Sequence, residues 1–286
     1  MRPVFRRLAA IEMPEVFTAA ALLTGSVVVE TIFGIPGIGR YFVEGALNRD
    51  YTLVMGTVVV VAIFVLVFNL VVDVLYALLD PERAGRLLDG FIEHYRASGW
   101  TSRWSSPGPV DSMTGTSLDT VTAQAVDAGV PVDLWNAFDA ALRNASVPST
   151  DPRLGRKGLA TSAYRGWVDT DTHEGLTWTL DGSINDLAVA RLARALLDRV
   201  PAAHERRGEL VAAAAYFTAR AGSYAHVFDP RTGFFLGRDA RGRFRMDAEA
   251  YDPTVWGFDY TETDGWGTAF SVPHDGAGLA ALHGGC

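Results

Sequence analysis

From Leu53 to Leu79 the chain reads LVMGTVVVVAIFVLVFNLVVDVLYALL, and only Asn69 and Asp73 interrupt this apolar run. A helix of that length is about 40 Å long at ~1.5 Å per residue, enough to cross the roughly 30 Å hydrocarbon core of a bilayer with some tilt. The run predicts a membrane span over 53–79; a buried core helix is the blander reading.

A second apolar stretch, 16–32, precedes it. Gly25 and Ser26 suit close packing against a neighbouring helix, while Glu30 near its end needs a partner or water. Arg2, Arg6 and Arg7 lie ahead of it, so a secretory signal peptide competes with a span. Glu12, Pro14 and Glu15 at its start, and no small-x-small cleavage site before Glu30, argue against the signal. Arg83 and Arg86 follow the second run, and Arg40 and Arg49 between the runs are balanced by Glu44 and Asp50. The positive-inside rule then puts both termini in the cytoplasm, with membrane lipid as the partner of 16–79.

The rest of the chain is of another kind. All seven Trp fall at or after Trp100 and all six His at or after His94, while the long apolar runs end before residue 80. One domain rarely sorts residue types so sharply, so a boundary is expected near 80–90. A net charge of −8 with no basic stripe excludes a nucleic-acid footprint. Cys286, the single cysteine, excludes an internal disulfide and a cysteine metal site.

Beyond residue 84 the apolar residues repeat at helical spacing. Helices are expected over 117–128, over 133–145 with Asp133 as N-cap, over 184–199, and over 204–225. Asp229-Pro230-Arg231-Thr232-Gly233 is a turn signal leading to Phe234-Phe235, and short extended stretches are expected near 233–236 and 242–246. Helix pairs separated by Gly/Pro/Trp-rich loops suggest a helical array or α/α toroid. Those loops gather Trp, His and carboxylates, a composition that suits sugars: aromatic faces bury their apolar patches and polar groups bond their hydroxyls. Plain core packing is the alternative for any one of these Trp.

Two resemblances sharpen this. Gly25–Gly56, with Glu30–Gly39 and the Asn48-Arg49-Asp50-Tyr51 run as its most specific parts, and the ending Tyr76–Pro81 resemble the C-terminal end of a dipeptide/oligopeptide ABC transporter permease. The resemblance implies the last two spans of such a subunit over 1–82. The earlier helices and most of the loop that docks the ATPase have no counterpart, so transport is not expected and ABC transporter subunits are doubtful partners.

Phe91–Val121, Gly155–Leu159, Ile184–Leu196, Phe228–Asp239 and Tyr260–Leu279 resemble glycoside hydrolase family 92. The resemblance implies α-mannosidases that are inverting and calcium-dependent, built on an (α/α)6 barrel. Residues 84–286 match the earlier part of that barrel. By its place in Tyr260-Thr261-Glu262, Glu262 is implied to be the general acid. Trp104, Asp119, Asp264, Trp266, His274 and Asp275 are implied to contact or brace the sugar. The family's E-G-N-x-W-Q pattern reads here Glu262-Thr263-Asp264-Gly265-Trp266-Gly267, so Asp264 and Gly267 depart from it.

The expected fold is mainly α: two transmembrane helices followed by an incomplete (α/α)6 toroid. The expected function is that of an α-mannosidase fragment for α-1,2-type mannosides, joined to an inner-membrane permease end. Inactivity is expected, because the base carboxylates and much of the calcium site belong to a stretch of the family beyond these blocks. A truncated permease with an enzyme-derived tail is the alternative. A membrane-anchored carbohydrate-binding fusion is a third reading. The abrupt join at Asp80–Ala84, without a Pro/Gly/Ser linker, points to an accidental union.

Overall fold

The structure, a computed structural model, describes residues 38–79, 81–104 and 108–285; the side chains of 38, 40, 65, 68, 69 and 71–79 fall outside the described ones. The stretch expected to span over 16–32 therefore lies outside the described residues. The chain divides into two compact units, with the division between Pro81 and Glu82.

In the first unit, α1 (Ile38–Leu47) and α2 (Tyr51–Leu79) form a helical hairpin. The Asn48-Arg49-Asp50 turn makes it. Arg49 sits at φ +56°, and the Asp50 carboxylate accepts the N–H of Leu53 at 3.0 Å, capping α2. Gly45 allows the close approach: a Cβ there would stand 3.1 Å from Val54 Cγ2. Among the described residues no helix is long and apolar enough to cross a membrane. The expected helix over 53–79 is formed within α2, but its expected spanning role is not shown.

The second unit is mainly helical. It comprises α3 (Pro81–Ser98), α4 (Ser117–Asp127), α5 (Leu134–Ser146), α6 (Leu159–Arg165), α7 (Gly175–Leu197) and α8 (Arg207–Arg220), then two short helices, α9 (Gly265–Thr268) and α10 (Gly276–Leu282). Asp133 caps α5 as expected, accepting the N–H of Asn136. A 3-10 turn, Ala221–Val227, ends the helix expected over 204–225 early. It leads into β1 (Phe228–Asp229), paired antiparallel with β2 (Phe234–Phe235). Gly233, at φ +75°, closes the hairpin between them where the sequence signals a turn.

Helix α7 is the axis. It packs against α4, α5 and α8, and it starts nine residues before the expected Ile184, at Gly175. Its first turns bury Leu176, Trp178, Thr179, Leu180 and Ser183 on several faces, so they show no one-sided period. Gly175 is required there, since a Cβ would stand 2.4 Å from the Asp169 carbonyl. The C-terminal half of α7 serves a core with Phe138, Ala141, Leu210 and Phe217. Its N-terminal half serves a second core with Tyr224, Val227, Phe235, Tyr260 and Val272, and this second core carries the loops expected to hold the chemistry.

Candidate active site

Residues 257–263 form a closed loop. The N–H of Gly257 donates to the Thr263 carbonyl at 2.9 Å, and the N–H of Tyr260 donates to the Gly257 carbonyl at 3.1 Å. Asp259 and Tyr260 point inward and are buried. Arg245 grips the Asp259 carboxylate, and the Tyr260 hydroxyl donates to the Phe235 carbonyl at 2.8 Å. Burial and the neighbouring Tyr251 push the Tyr260 phenol well above its ordinary range. Thr177, in the first turn of α7, stitches the loop from below. Its hydroxyl donates to the Asp259 carbonyl at 3.2 Å and accepts the N–H of Thr261 at 3.0 Å.

The fastened loop presents Glu262 at φ +50°, with its side chain exposed. Left-handed backbone is uncommon for a residue with a Cβ and costs about 1–2 kcal/mol. Among the described residues no hydrogen bond or ion pair engages its carboxylate. Such strain, held in place by surrounding bonds, is a mark of functional positions.

Asp264 follows as the N-cap of α9, its carboxylate accepting the N–H of Gly267 at 2.9 Å. A Cβ on Gly267 would stand 1.8 Å from Thr263 Oγ1, so a longer residue at this departure from the family pattern would not fit without movement. Trp266 is exposed and meets Phe234 edge-on, with centroids 4.8 Å apart. Asp275 caps α10, accepting the N–H of Gly278 at 2.8 Å and the Tyr224 hydroxyl at 2.7 Å. That hydroxyl and the Gly278 N–H hold the Asp275 carboxyl below its usual range; burial, then Asp275, pushes the Tyr224 phenol up to about 12. His274 Nε2 bonds the Ala221 carbonyl at 2.9 Å, and its ring meets Tyr224 edge-on. His274 and Asp275 thus brace the loop around Val272 and Leu279 rather than standing free.

Trp104 and Asp119 belong to other segments. Trp104 is half-exposed. Asp119 is 3% exposed, and its oxygens accept from Thr116 Oγ1 at 2.6 Å and Asn144 Nδ2 at 3.0 Å. With Arg156 3.6 Å away, it braces the join of α4, α5 and α7, and no face of its carboxylate is open to a sugar. The structure therefore keeps Glu262, Asp264 and Trp266 on one segment, ties His274 and Asp275 to Ala221 and Tyr224, and buries Asp119.

Sequence reasoning passed over Thr177 and Arg245 as supports of this loop. Gly257 was the available signal: a glycine ahead of an aromatic-acidic run marks a backbone turn, here at φ +87°. Among the described residues no group of three or more His, Cys, Asp or Glu could hold a metal ion.

Residues 71–286 match the glycosyl hydrolase family 92 catalytic domain. The chain belongs to this family. It is similar to a solved family 92 inverting mannosidase from Bacteroides thetaiotaomicron, at 29% identity and a TM-score of 0.65, over 74% of this chain and 27% of that one. A second family 92 α-mannosidase from the same organism, solved with mannoimidazole, shares the fold at 22% identity and a TM-score of 0.60, over 73% of this chain and 26% of the other. Residues 13–85 match the binding-protein-dependent transport system inner membrane component. The oligopeptide permease protein OppB of Haemophilus influenzae is 51% identical over 61 residues, 21% of this chain and 20% of the relative. That of Escherichia coli is 56% identical over 61 residues, and the dipeptide permease protein DppB of Bacillus subtilis 50% over 63, each covering 20% of the relative. The chain spans about a fifth of the curated permeases it matches and about a quarter of the solved mannosidases. Permease end and family 92 domain thus meet in one polypeptide, their matches overlapping over 71–85.

Proposed function

We propose that the family 92 part, about residues 84–286, recognises α-mannoside glycans of the α-1,2 type, with Glu262 in the place of the general acid. The observation that carries the reading is the Glu262 carboxylate, exposed on strained backbone that bonds on both sides of it hold in place. A general acid must reach the leaving oxygen, and a carboxyl occupied by an internal partner does not. Trp266, four residues on, offers an exposed aromatic face, and Asp264 fixes the short helix that carries it.

Hydrolysis with inversion needs a second carboxyl about 6.5–9.5 Å from the first, to activate water. The family resemblance assigns that base, and much of the calcium site, to sequence after the matched blocks. Mannoside binding is therefore what is proposed for residues 84–286, and no step is routed through calcium.

The first part, about residues 1–82, is proposed as the tie to the bacterial inner membrane, with both termini cytoplasmic. Apart from the face turned to α1, α2 leaves Met55, Val59, Ile63, Leu66, Val67 and Leu70 exposed. An apolar surface of this extent is stable against lipid and not against water. No transport role is proposed, because two helices do not enclose a path for a peptide.

The test is release of mannose from α-1,2-mannobiose by the full chain in detergent, with and without calcium. Release that falls in Glu262→Gln supports Glu262 as the acid, and release unchanged in Glu262→Gln overturns that assignment.

A further inference from the structure

Glu262 is not alone on its loop in holding a left-handed backbone. Phe258, four residues earlier, sits at φ +61°. For a bulky aromatic residue this is a genuine outlier. The strain does not serve to bury the ring, which is 64% exposed. Between the two, Asp259 and Tyr260 are pinned inward by Arg245 and the Phe235 carbonyl. The loop thus spends backbone strain twice, once for a carboxylate and once for an aromatic face, and directs both to solvent.

Phe258 also lines a recess with Val255, Tyr251, Met246 and Asp252. One wall is apolar. Asp252 supplies a carboxylate whose Oδ1 is taken by the Thr254 N–H and hydroxyl, at 2.9 and 2.7 Å. Those bonds hold the Asp252 carboxyl below its usual range, so it is an ionised acceptor at neutral pH. Its Oδ2 has no hydrogen bond among the described residues. An aromatic face with one ionised acceptor at its edge matches a pyranose: the ring's C–H face stacks and a hydroxyl donates.

We propose that this recess is a second sugar subsite, taking the unit next to the one at Glu262, with Phe258 as its stacking platform. The proposal rests on the mannoside reading. Phe258 then governs length selectivity: it favours a disaccharide over a single sugar and leaves the affinity for a single sugar unchanged.

The experiment compares α-1,2-mannobiose with methyl α-mannoside by calorimetry on the full chain in detergent. Phe258→Ala is expected to weaken mannobiose binding about tenfold and to leave methyl mannoside within about twofold. Phe258→Tyr is expected to keep both affinities. Equal mannobiose binding by wild type and Phe258→Ala, or an equal loss for both ligands, overturns the subsite while the mannoside reading stands. No binding of either ligand by wild type overturns both. A sugar-independent arm tests the strain: Phe258→Gly is expected to raise Tm by about 2–4 °C, as relief of a left-handed non-glycine residue should. An unchanged or lower Tm would show that the ring is not held out against backbone preference, and would remove the argument for the platform.

Discussion

Arg245 grips both oxygens of Asp259, Nε to Oδ2 at 2.6 Å and Nη2 to Oδ1 at 2.8 Å. The carboxylate is 4% exposed, and it presses so close to Gly237 that a Cβ there would stand 2.1 Å from Oδ2. Removing the cation leaves a buried charge unpaired, a change that costs about 3 kcal/mol or more. Arg245→Met is therefore expected to lower Tm by about 6–12 °C, read by calorimetry of the full chain. A drop below about 2 °C would mean that the pair does not fasten the Glu262 loop.

Gly85 sets the contact of α3. A Cβ at this position would meet the Pro131 carbonyl at 1.9 Å. The same face is held by the Asp133 N–H donating to Asp89 Oδ1 at 3.0 Å, by buried Ile92 and by the Arg96–Asp133 ion pair. Gly85→Ala is expected to destabilise by about 2 kcal/mol through overpacking and to hasten protease cleavage within 82–98. Gly90→Ala, in the same helix with nothing within 4 Å of its Cβ, is expected to stabilise by up to about 1 kcal/mol. Equal responses of the two variants would show that α3 is not seated on the Pro131 turn.

Asp181 gives a pH signature. Burial pushes its carboxyl above the usual range, and the Thr114 hydroxyl at 2.6 Å offsets this only in part. A carboxyl raised in the folded state favours the protonated form there. Its destabilising effect is absent below the ordinary carboxylate pKa and grows as pH rises from there to the raised native value. Asp181→Asn is expected to raise Tm at pH 7 and to leave it unchanged near pH 3.5. A gain of the same size at both pH values would show that the ionised group is not the cause.

The exposed apolar flank of α2 leads to a partition prediction. The full chain is expected to stay with membranes through an alkaline carbonate wash, and Val59→Asp with Val67→Asp to release a large fraction of it. Complete release of the wild-type chain by the wash would rule out the membrane tie.

Much of this architecture is legible in the sequence. The Asp133 cap and the turn before Phe234 follow from local chemistry, and the Asn48-Arg49-Asp50 turn coincides with the most specific part of the permease resemblance. The start of α7 is not legible, because a helix buried on several sides has no apolar stripe to read. The site is half legible. Glu262 and Trp266 come from a short motif, but its supports, Thr177 and Arg245, lie 85 and 17 residues away along the chain, and no local pattern links them to it. Asp119 shows the converse. A carboxylate in a matched block looks open to a sugar, and only its burial against Arg156, Thr116 and Asn144 reveals a brace.

The central claim is that a family 92 fold in this chain holds a mannoside site around Glu262. Calorimetric titration of the full chain in detergent with α-1,2-mannobiose, against the α-1,2-linked glucose disaccharide as control, tests it most directly. Saturable binding of the mannose disaccharide with at least about tenfold weaker binding of the control is the predicted result. No saturable binding, or equal binding of the two, would contradict it.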